Sequence, residues 1–369
     1  MKVARQNLRT PGPTPVPEDI VEAMGEPMIN HRGPEFHELI DEVTQQLKQV
    51  FMTQNDLYVL TSSGTGALEA AIVNTLSPGD KVLGVSAGAF GDRFCDCSEA
   101  FGADVKRIAF EWGEPIDPQV IRQELKKNPE IKAVQVAHNE TSTGVTHDVE
   151  TIARIVRKEF GKLLLVDAVS SLGCIPLPVD GWDCDVVATA SQKGFMIPPG
   201  LAFVTMSKFA HEAQKTATMP KFYFDLAAAQ RYLERGQTPW TPNLAAFYGL
   251  RLALDKMLDE GMENIFARHA SIAQFTRDGV RSLGLELLCG DEKRASDTVT
   301  AVKIPKEVNA TTLMSIMRIE ENIVLAEGQG KLSGKTFRIG HLGYVSQGDI
   351  EEVLDALKRT LPKAGFKAS

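Results

Sequence analysis

Short apolar runs alternate with helical segments between Asp56 and Val204, and this alternation constrains the fold more than any other feature of the chain. The runs that we predict as strands are LYVLTS, KVLGVS, AVQVAH, LLLVDA and VVATAS, and the segments ALEAAIVNTL and VETIARIVRKEF have the apolar spacing of helices. Alternating strands and helices are typical of a mainly parallel sheet that is covered by helices on both faces. The sequence therefore predicts an α/β fold.

The segments on either side of this region differ from it. Prolines alternate with other residues between Pro11 and Pro17, which predicts an extended arm over residues 1–20 because each proline restricts its own backbone and its predecessor's. Residues 36–51 have the spacing of an amphipathic helix. Beyond Leu250, long helices are followed by short strands and a last helix. The chain has 369 residues, and a single hydrophobic core stops growing at roughly 250–300 residues, so two domains are expected. We expect a large domain over residues 21–255 and a smaller α+β domain over residues 256–369.

Charge, hydropathy and cysteine content argue against several functions. The formal net charge is −8 without a basic stripe, so neither nucleic acid nor an anionic membrane is an expected partner. We find no signal peptide and no apolar run of about 18 residues that could span a membrane, and we expect a cytoplasmic protein. The five cysteines are scattered and fit free thiols. We predict no metal site, because Cys95, Cys97, His138 and His147 do not have the spacing of zinc ligands.

The turn after the first predicted strand has the composition of a phosphate site. The sequence TSSGTGALEAAIVNTL passes from small residues directly into a helix, so the backbone N–H groups from Ser63 to Ala67 would be free to bind an anion. A dinucleotide fingerprint would need a small residue where Glu69 stands, and a nucleotide P-loop would need a lysine after Gly66. The turn therefore favours a single phosphate, although an ordinary glycine-rich turn remains open.

Polar side chains also follow three later strands of the predicted sheet. The turn His138–Gly144 follows AVQVA, Asp167 follows LLLV, and Ser191, Gln192 and Lys193 follow VVATA. Ligands of open parallel sheets bind beyond the carboxyl ends of the strands, where these residues would meet. Each has an ordinary alternative, since Asp167 could cap a turn and Lys193 could be an exposed loop lysine. A phosphate turn, an aspartate and a lysine at one sheet edge are together more specific.

The chain contains, in this order, the motifs SGTGA, NETSTG, VDAVSSLG and ATASQKG. Together they resemble the pyridoxal-phosphate (PLP) enzymes of fold type I, and within them the class V aminotransferases. The narrower resemblance is to alanine:glyoxylate and serine:pyruvate aminotransferases, and it extends from GPTPVP to FRIGHLG. It implies a large domain with a mainly parallel seven-stranded sheet and a smaller C-terminal α+β domain. It also implies PLP as the cofactor and a homodimer with active sites at the interface.

The resemblance assigns roles to individual residues. Lys193 matches the lysine that forms a Schiff base with PLP, and Asp167 matches the carboxylate that pairs with the pyridinium nitrogen. Phe90 stands where the family has an aromatic ring, often tryptophan, stacked on the cofactor. The other cofactor contacts implied near these residues are Ser63, Gly64, Thr65, Thr141 and Gln192.

The resemblance also extends to a loop and to a substrate site. Gln237 and Thr238 match a loop that reaches the phosphate of the neighbouring subunit, although Arg235 stands where the family has a tyrosine. Arg338 matches the arginine that holds the substrate carboxylate, a contact that suits a planar guanidinium. Gly12 in the arm matches, more weakly, a residue that closes over the same carboxylate.

The implied function is transfer of an amino group from alanine or serine to glyoxylate or pyruvate. Aspartate or phosphoserine is an alternative donor, for which Arg32 or Arg235 could supply a distal cation. A PLP lyase is another alternative, whereas a cysteine desulfurase is opposed by the absence of cysteine from AEGQGKLSGKTFRIG. Outside this family, a nucleotide-binding dehydrogenase and a non-catalytic partner protein remain as alternatives.

Overall fold

The computed structural model describes residues 6–367. In this part of the chain the strands are β1 (Asn7–Leu8), β2 (Asp56–Leu60), β3 (Lys81–Ser86), β4 (Asp104–Ala109), β5 (Ala133–Ala137), β6 (Asn139–Glu140), β7 (Val145–Thr146), β8 (Leu163–Asp167), β9 (Val186–Ala190), β10 (Ala202–Met206), β11 (Val299–Lys303), β12 (Ile323–Val324), β13 (Ala326–Glu327) and β14 (Thr336–Gly340).

The largest sheet has seven strands in the order β2-β10-β9-β8-β5-β3-β4. The pairs from β9 to β4 are parallel, and β10 runs antiparallel to both β2 and β9, so the predicted α/β fold with a mainly parallel seven-stranded sheet is confirmed. The five predicted strands correspond to β2, β3, β5, β8 and β9. The prediction lacks β4, whose residues are charged and largely exposed at the sheet edge, and it lacks β10. The short connection from β9 to β10 leaves no room for a crossover helix, which accounts for the antiparallel direction of β10.

Helices cover both faces of this sheet, as the alternation of elements predicts. The helices are α1 (Glu18–Ala23), α2 (Pro34–Val50), α3 (Gly64–Thr75), α4 (Ala89–Ala100), α5 (Pro118–Lys127), α6 (Val149–Ala153, continued by a π-helical turn Arg154–Glu159), α7 (Lys208–Gln214), α8 (Leu226–Leu233), α9 (Leu244–Glu260), α10 (Met262–Ser282), α11 (Ala310–Ile319) and α12 (Gln347–Lys363), with a 3₁₀ turn at Gly330–Leu332. One apolar core lies between the sheet and helices that include α2 and α9, and another lies under α3 and α8 on the opposite face. Among the residues described, no helix is long and apolar enough to cross a membrane.

A third core belongs to the C-terminal part of the chain. The antiparallel sheet β11-β14-β13 packs with α10, α11 and α12 around apolar residues that include Phe337 and Leu357. The predicted long helical segment is divided into α9 and α10 at Gly261, whose φ of +82° lies in the left-handed region that glycine tolerates. This small sheet brings β14, which carries Arg338, towards the edge of the large sheet.

The N-terminal arm crosses from one sheet to the other. β1 pairs in parallel with β12, and the Gly340 N–H donates to the Arg9 carbonyl oxygen at 2.7 Å. Further along, the Thr14 N–H donates to the Gln192 carbonyl oxygen at 3.1 Å, and α1 begins at Glu18. Residues 1–5 of the predicted arm lie outside the described residues. The arm therefore passes directly beside Lys193.

Buried neutral histidines make the stability of the fold pH-dependent. Burial lowers the pKa of four histidines to about 3 or 4, namely His138, His147, His269 and His341. Because the unfolded chain binds these protons below about pH 6.5 and the folded chain does not, the free energy of unfolding should fall as the pH drops from 6.5 towards 4. Two buried aspartates, Asp167 and Asp185, oppose this trend because burial raises the pKa of each to about 6. Burial also raises the pKa of Glu140 and of Asp297, which act in the same direction as the two aspartates. The four histidines take up protons together in the unfolded chain below about pH 6.5, and this uptake outweighs the effect of the carboxyl groups.

Urea unfolding of the cofactor-free protein at several pH values measures this effect. We expect the unfolding midpoint to decrease steadily between pH 7 and pH 5. A midpoint that is constant or rises over this interval would contradict the assignment of the four histidines as neutral in the folded protein.

Candidate functional site

The carboxyl ends of β2, β3, β5, β8 and β9 lie at one edge of the seven-stranded sheet, since all five strands run in the same direction. The turns into α3 and α4 follow β2 and β3 there, and the turn 138–144 follows β5. Asp167 ends β8, and Lys193 lies three residues after the end of β9. The topology thus collects the polar turns that the sequence identifies at a single edge of the sheet.

The N-terminus of α3 is open. Ser63 occupies the N-cap position, but its side chain makes no capping hydrogen bond to the first turn of the helix, and none is made by another side chain among the residues described. The first N–H groups of a helix have no intrahelical partner and lie at the positive end of its dipole. Gly64 allows the turn to pack closely, because a Cβ there would lie 2.7 Å from a methyl carbon of Val169. The turn at Ser63, Gly64 and Thr65 therefore has the geometry of a helix N-terminus that can accept an anion.

Asp167 is a buried carboxylate without a cationic hydrogen-bond partner among the described residues. Its side chain is 6% exposed, and its Oδ1 accepts one hydrogen bond, from the Val169 N–H at 2.9 Å. Burial raises the pKa of Asp167 to about 6, and the negative charge of Glu140 also contributes. A buried carboxylate is costly unless a cation or several donors meet it. Asp167 is thus suited to a ligand that brings a positively charged N–H group.

Lys193 lies on the turn after β9, under the N-terminal arm. Its Nζ donates a hydrogen bond to the carbonyl oxygen of Pro11, and its own carbonyl oxygen accepts from Thr14 Oγ1 at 3.1 Å. Gly12 has a φ of +117°, and a side chain there would overlap the lysine amine. Burial, assisted by the positive charges of Arg338 and Arg93 against the charge of Asp167, lowers the pKa of Lys193 to about 8. The lysine can therefore be neutral near physiological pH.

Arg338 is a buried guanidinium that meets only neutral acceptors in the described part of the chain. It donates to the Glu327 carbonyl oxygen at 2.8 and 3.1 Å, to the Thr141 carbonyl oxygen at 3.3 Å and to Gln329 Oε1 at 3.4 Å. Burial lowers the pKa of Arg338 to about 10, although the charge of Glu140 opposes this shift. A buried cation without an ion pair is a binding site for an anion such as a carboxylate.

Phe90 and Thr141 lie on two turns at this edge of the sheet. Phe90 is half-buried in the first turn of α4, and the Arg93 guanidinium carbon lies 4.8 Å from the centre of its ring. The buried Thr141 hydroxyl donates to Ser170 Oγ at 2.6 Å. Sequence reasoning does not identify Arg93 or Ser170. The only available signal is their spacing, since each lies three residues after a predicted site residue.

Gln192 has an unpaired polar atom. Its side-chain Oε1 is buried and has no hydrogen-bond partner among the described residues. Buried polar groups are almost always hydrogen-bonded, so an orphan beside Lys193 marks a place where a ligand would complete the site.

Gln237 and Thr238 lie on a separate loop. In the part of the chain that the structure describes, no hydrogen bond joins either residue to Lys193, Asp167 or Arg338. Arg32 Nη1 donates to Gln237 Oε1 at 2.9 Å and to the Thr238 carbonyl oxygen at 2.6 Å. The guanidinium groups of Arg32 and Arg235 both lie over the ring of Tyr232, at 5.2 and 5.8 Å from its centre. The Arg32 guanidinium is therefore held by this loop, where it also donates to the Pro239 carbonyl oxygen at 3.1 Å.

The described residues contain no group of three or more histidine, cysteine, aspartate or glutamate side chains that could hold a metal ion. The cysteines form no disulfide, and four of the five are buried.

Three comparisons relate the chain to known proteins. The family Aminotransferase class-V matches residues 7–353. A Synechococcus sp. (strain PCC 6716) protein named as the small subunit of a soluble hydrogenase is 44% identical over 97% of this chain and 94% of its own length. The L-aspartate–glyoxylate aminotransferase of Paracoccus denitrificans is 39% identical over 90% of this chain and 85% of its own.

A solved structure has nearly the same fold. The alanine–glyoxylate aminotransferase of Nostoc sp. matches with a TM-score of 0.94 at 32% sequence identity, and the match covers 98% of this chain and 96% of the other. This agreement confirms the fold that the motif resemblance implies, in both the large sheet and the C-terminal part.

Proposed function

The chain belongs to the class V aminotransferases, and we propose that it transfers an amino group from alanine or serine to glyoxylate or pyruvate with PLP as its cofactor. It is a transaminase that acts on an amino acid and an oxo acid. One observation carries the proposal: three residues lie together at one edge of the sheet. They are Lys193, whose amine has a lowered pKa, the buried Asp167, and Arg338, whose guanidinium donates to neutral acceptors.

The residues present fit PLP. The open N-terminus of α3 suits a single phosphate monoester, which matches the failure of the sequence to meet either nucleotide pattern. The buried Asp167 suits a protonated ring nitrogen, and the Lys193 amine suits a carbonyl carbon. Phe90 offers a ring face, Thr141 a hydroxyl, and Gln192 an unsatisfied amide. The residues that would hold the cofactor are Ser63, Gly64, Thr65, Phe90, Thr141, Asp167, Gln192 and Lys193.

The chain's own residues then account for the chemistry. Bound PLP supplies an electron sink that makes the α-proton of an amino acid labile. Lys193 Nζ, with its pKa lowered to about 8 by burial, can accept this proton from the α-carbon of the amino donor and, in the second half-reaction, deliver a proton to the α-carbon of the oxo-acid acceptor. Asp167 holds the proton on the ring nitrogen. Arg338 binds the α-carboxylate with its planar fork, and the arm at Pro11 and Gly12 covers the lysine from solvent.

Replacement of Arg338 by lysine tests the carboxylate site. A lysine keeps the charge but cannot make the bidentate contact, so we expect KM for alanine to rise about 10- to 100-fold with a smaller change in kcat. Steady-state kinetics at saturating glyoxylate measure both constants. Arg318→Lys, at an exposed position of α11, is a matched control. An unchanged KM in Arg338→Lys would remove Arg338 from the substrate site.

The donor is best identified with a panel of amino acids and oxo acids. We expect single-turnover bleaching of the bound cofactor by alanine or serine, and recovery with glyoxylate or pyruvate. Faster bleaching by aspartate or phosphoserine would select the alternative donors, of which aspartate is the donor named for the Paracoccus relative. Formation of more than one equivalent of product per cofactor without an oxo-acid acceptor would point to a lyase. No turnover by the isolated, cofactor-loaded chain would favour a role as a subunit of a larger assembly, as the name of the Synechococcus relative suggests.

We propose further that the active unit is a homodimer in the cytoplasm. An exposed aromatic stack lies beside the Gln237–Thr238 loop: Phe222 is 76% exposed, and its ring centre lies 4.7 Å from that of Trp240. A second copy that covered this stack could also place Gln237 and Thr238 on its partner's phosphate site. We expect light scattering to give the mass of a dimer, and Phe222→Asp to shift the protein towards a monomer with weaker PLP binding. A wild-type monomer that binds PLP fully would contradict the proposal.

A further inference from the structure

Glu140 is a fully buried carboxylate that the proposed chemistry does not use. Its side chain is 0% exposed and follows β5 in the turn 138–144. Its Oε2 accepts from the N–H groups of Phe90 at 3.2 Å and Gly91 at 3.0 Å. Its Oε1 accepts from the Ser142 N–H at 3.1 Å and from Ser142 Oγ at 2.5 Å. Each oxygen thus receives at least two donors; burial raises the pKa of Glu140, and these hydrogen bonds from Ser142, Gly91 and Phe90 act in the opposite direction and favour the ionised form.

Ser142 completes the same arrangement at the start of α4. Its Oγ accepts from the Ala89 N–H at 3.0 Å. The first three N–H groups of α4, at residues 89, 90 and 91, are therefore all bound by the turn that follows β5. The first turn of α3 has no comparable side-chain cap. Of these two neighbouring helix N-termini, one is open for an anion and the other is filled by the protein's own carboxylate.

Two glycines allow this close fit. A side chain at Gly88 would overlap the Glu140 carboxyl group, and a Cβ at Gly91 would lie 2.8 Å from Ser86 Cα on β3. The first turn of α4 is consequently clamped between β3 on one side and Glu140 on the other. Phe90 lies between these two glycines, so its backbone has little freedom to shift.

We propose that Glu140 is a positioning residue that sets the angle of the Phe90 ring over the cofactor site by binding the first turn of α4 through backbone N–H groups. This inference rests on the proposed function, because it takes Phe90 to stack on PLP. Glu140 does not need to touch the cofactor. Its negative charge also reaches this edge of the sheet, since it acts on the pKa of both Asp167 and Arg338.

The test is a double-mutant cycle between Glu140 and Phe90 on the full chain, read by the dissociation constant for PLP and by the visible circular dichroism of bound PLP. Glu140→Gln has nearly the same size but places an amide donor against the N–H groups of α4. We expect it to weaken PLP binding about tenfold and to change the dichroic band. In a Phe90→Ala background, the same substitution should have little further effect on PLP binding, because Glu140 acts through the ring.

The outcomes separate positioning from a general structural role. Additive losses of PLP affinity in the double mutant, or an unchanged dichroic band in Glu140→Gln, would overturn the inference. If Glu140→Gln does not yield folded protein, the same cycle is run with Ser142→Ala, which removes the hydroxyl that binds the Ala89 N–H, and the same criteria apply. Failure of the wild-type chain to bind PLP would instead overturn the proposed function, so the two failures are distinguishable.

Discussion

Replacement of Lys193 by alanine is expected to lower the rate of amino transfer by about 10⁴-fold or more, because it removes both the covalent attachment point and the base. The variant should still fold, since Lys193 makes one side-chain hydrogen bond here, to the Pro11 carbonyl oxygen. The absorption band of lysine-linked PLP should be lost. Single-turnover kinetics and the visible spectrum measure these two effects.

Lys215→Ala provides a matched control for this variant. Lys215 is 68% exposed beside α7, and its ammonium pairs only with Glu212 within the same segment. This substitution should leave both spectrum and turnover unchanged. A Lys193→Ala protein that kept the linked-cofactor band would mean that another amine holds PLP.

Replacement of Asp167 by asparagine is expected to have opposite effects on catalysis and stability. Turnover should fall about 10²- to 10³-fold, because asparagine cannot hold the ring nitrogen in its protonated form. The cofactor-free protein should become more stable by roughly 1–3 kcal/mol at pH 8, because a buried carboxylate whose pKa is raised to about 6 is replaced by a neutral group. The hydrogen bond from the Val169 N–H can be kept by the asparagine oxygen.

The sign of the pH dependence gives this prediction a second check. Since the folded pKa of Asp167 lies above its unfolded value, the ionised carboxylate destabilises the fold progressively as the pH rises from about 4 to about 6, and by a constant amount above that. The stability difference between Asp167→Asn and wild type should therefore be present at pH 8 and vanish near pH 4. Urea unfolding at both pH values measures it.

Asp185→Asn is a matched control. Asp185 is also buried with a pKa raised to about 6, but it lies before β9, at the opposite edge of the sheet, and pairs with Arg157 at 2.8 Å. Its replacement should leave the turnover of the folded protein unchanged, because Asp185 lies away from the proposed cofactor site. A gain of stability without loss of turnover in Asp167→Asn would show that Asp167 does not act on the cofactor.

Local sequence patterns predict the central strands and the residues at their ends. β5, β8 and β9 are largely apolar because helices cover them on both faces, so Asp167 at the end of β8 and Lys193 after β9 stand out as charged residues. The same criterion misses β4, because an edge strand that faces solvent carries charges.

The remaining features depend on contacts between distant parts of the chain. Glu140 belongs to a turn from which sequence reasoning expects ligand hydrogen bonds, yet its carboxylate binds the start of α4, about 50 residues earlier. Arg32 and the loop at Gln237 are joined by hydrogen bonds across about 200 residues. Periodicity and spacing within one segment contain no information on such pairs of residues. Only the folded structure reveals them.

The central claim is that Lys193 carries the cofactor of an aminotransferase, and borohydride reduction followed by peptide mapping tests it most directly. Reduction of the PLP-loaded protein would fix the linkage, and mass spectrometry would locate the added phosphopyridoxyl group. The account predicts this group on the Lys193 side chain, and its loss when the protein is treated with alanine before reduction. A group on another lysine, or no covalent group in protein that binds PLP, would contradict the account.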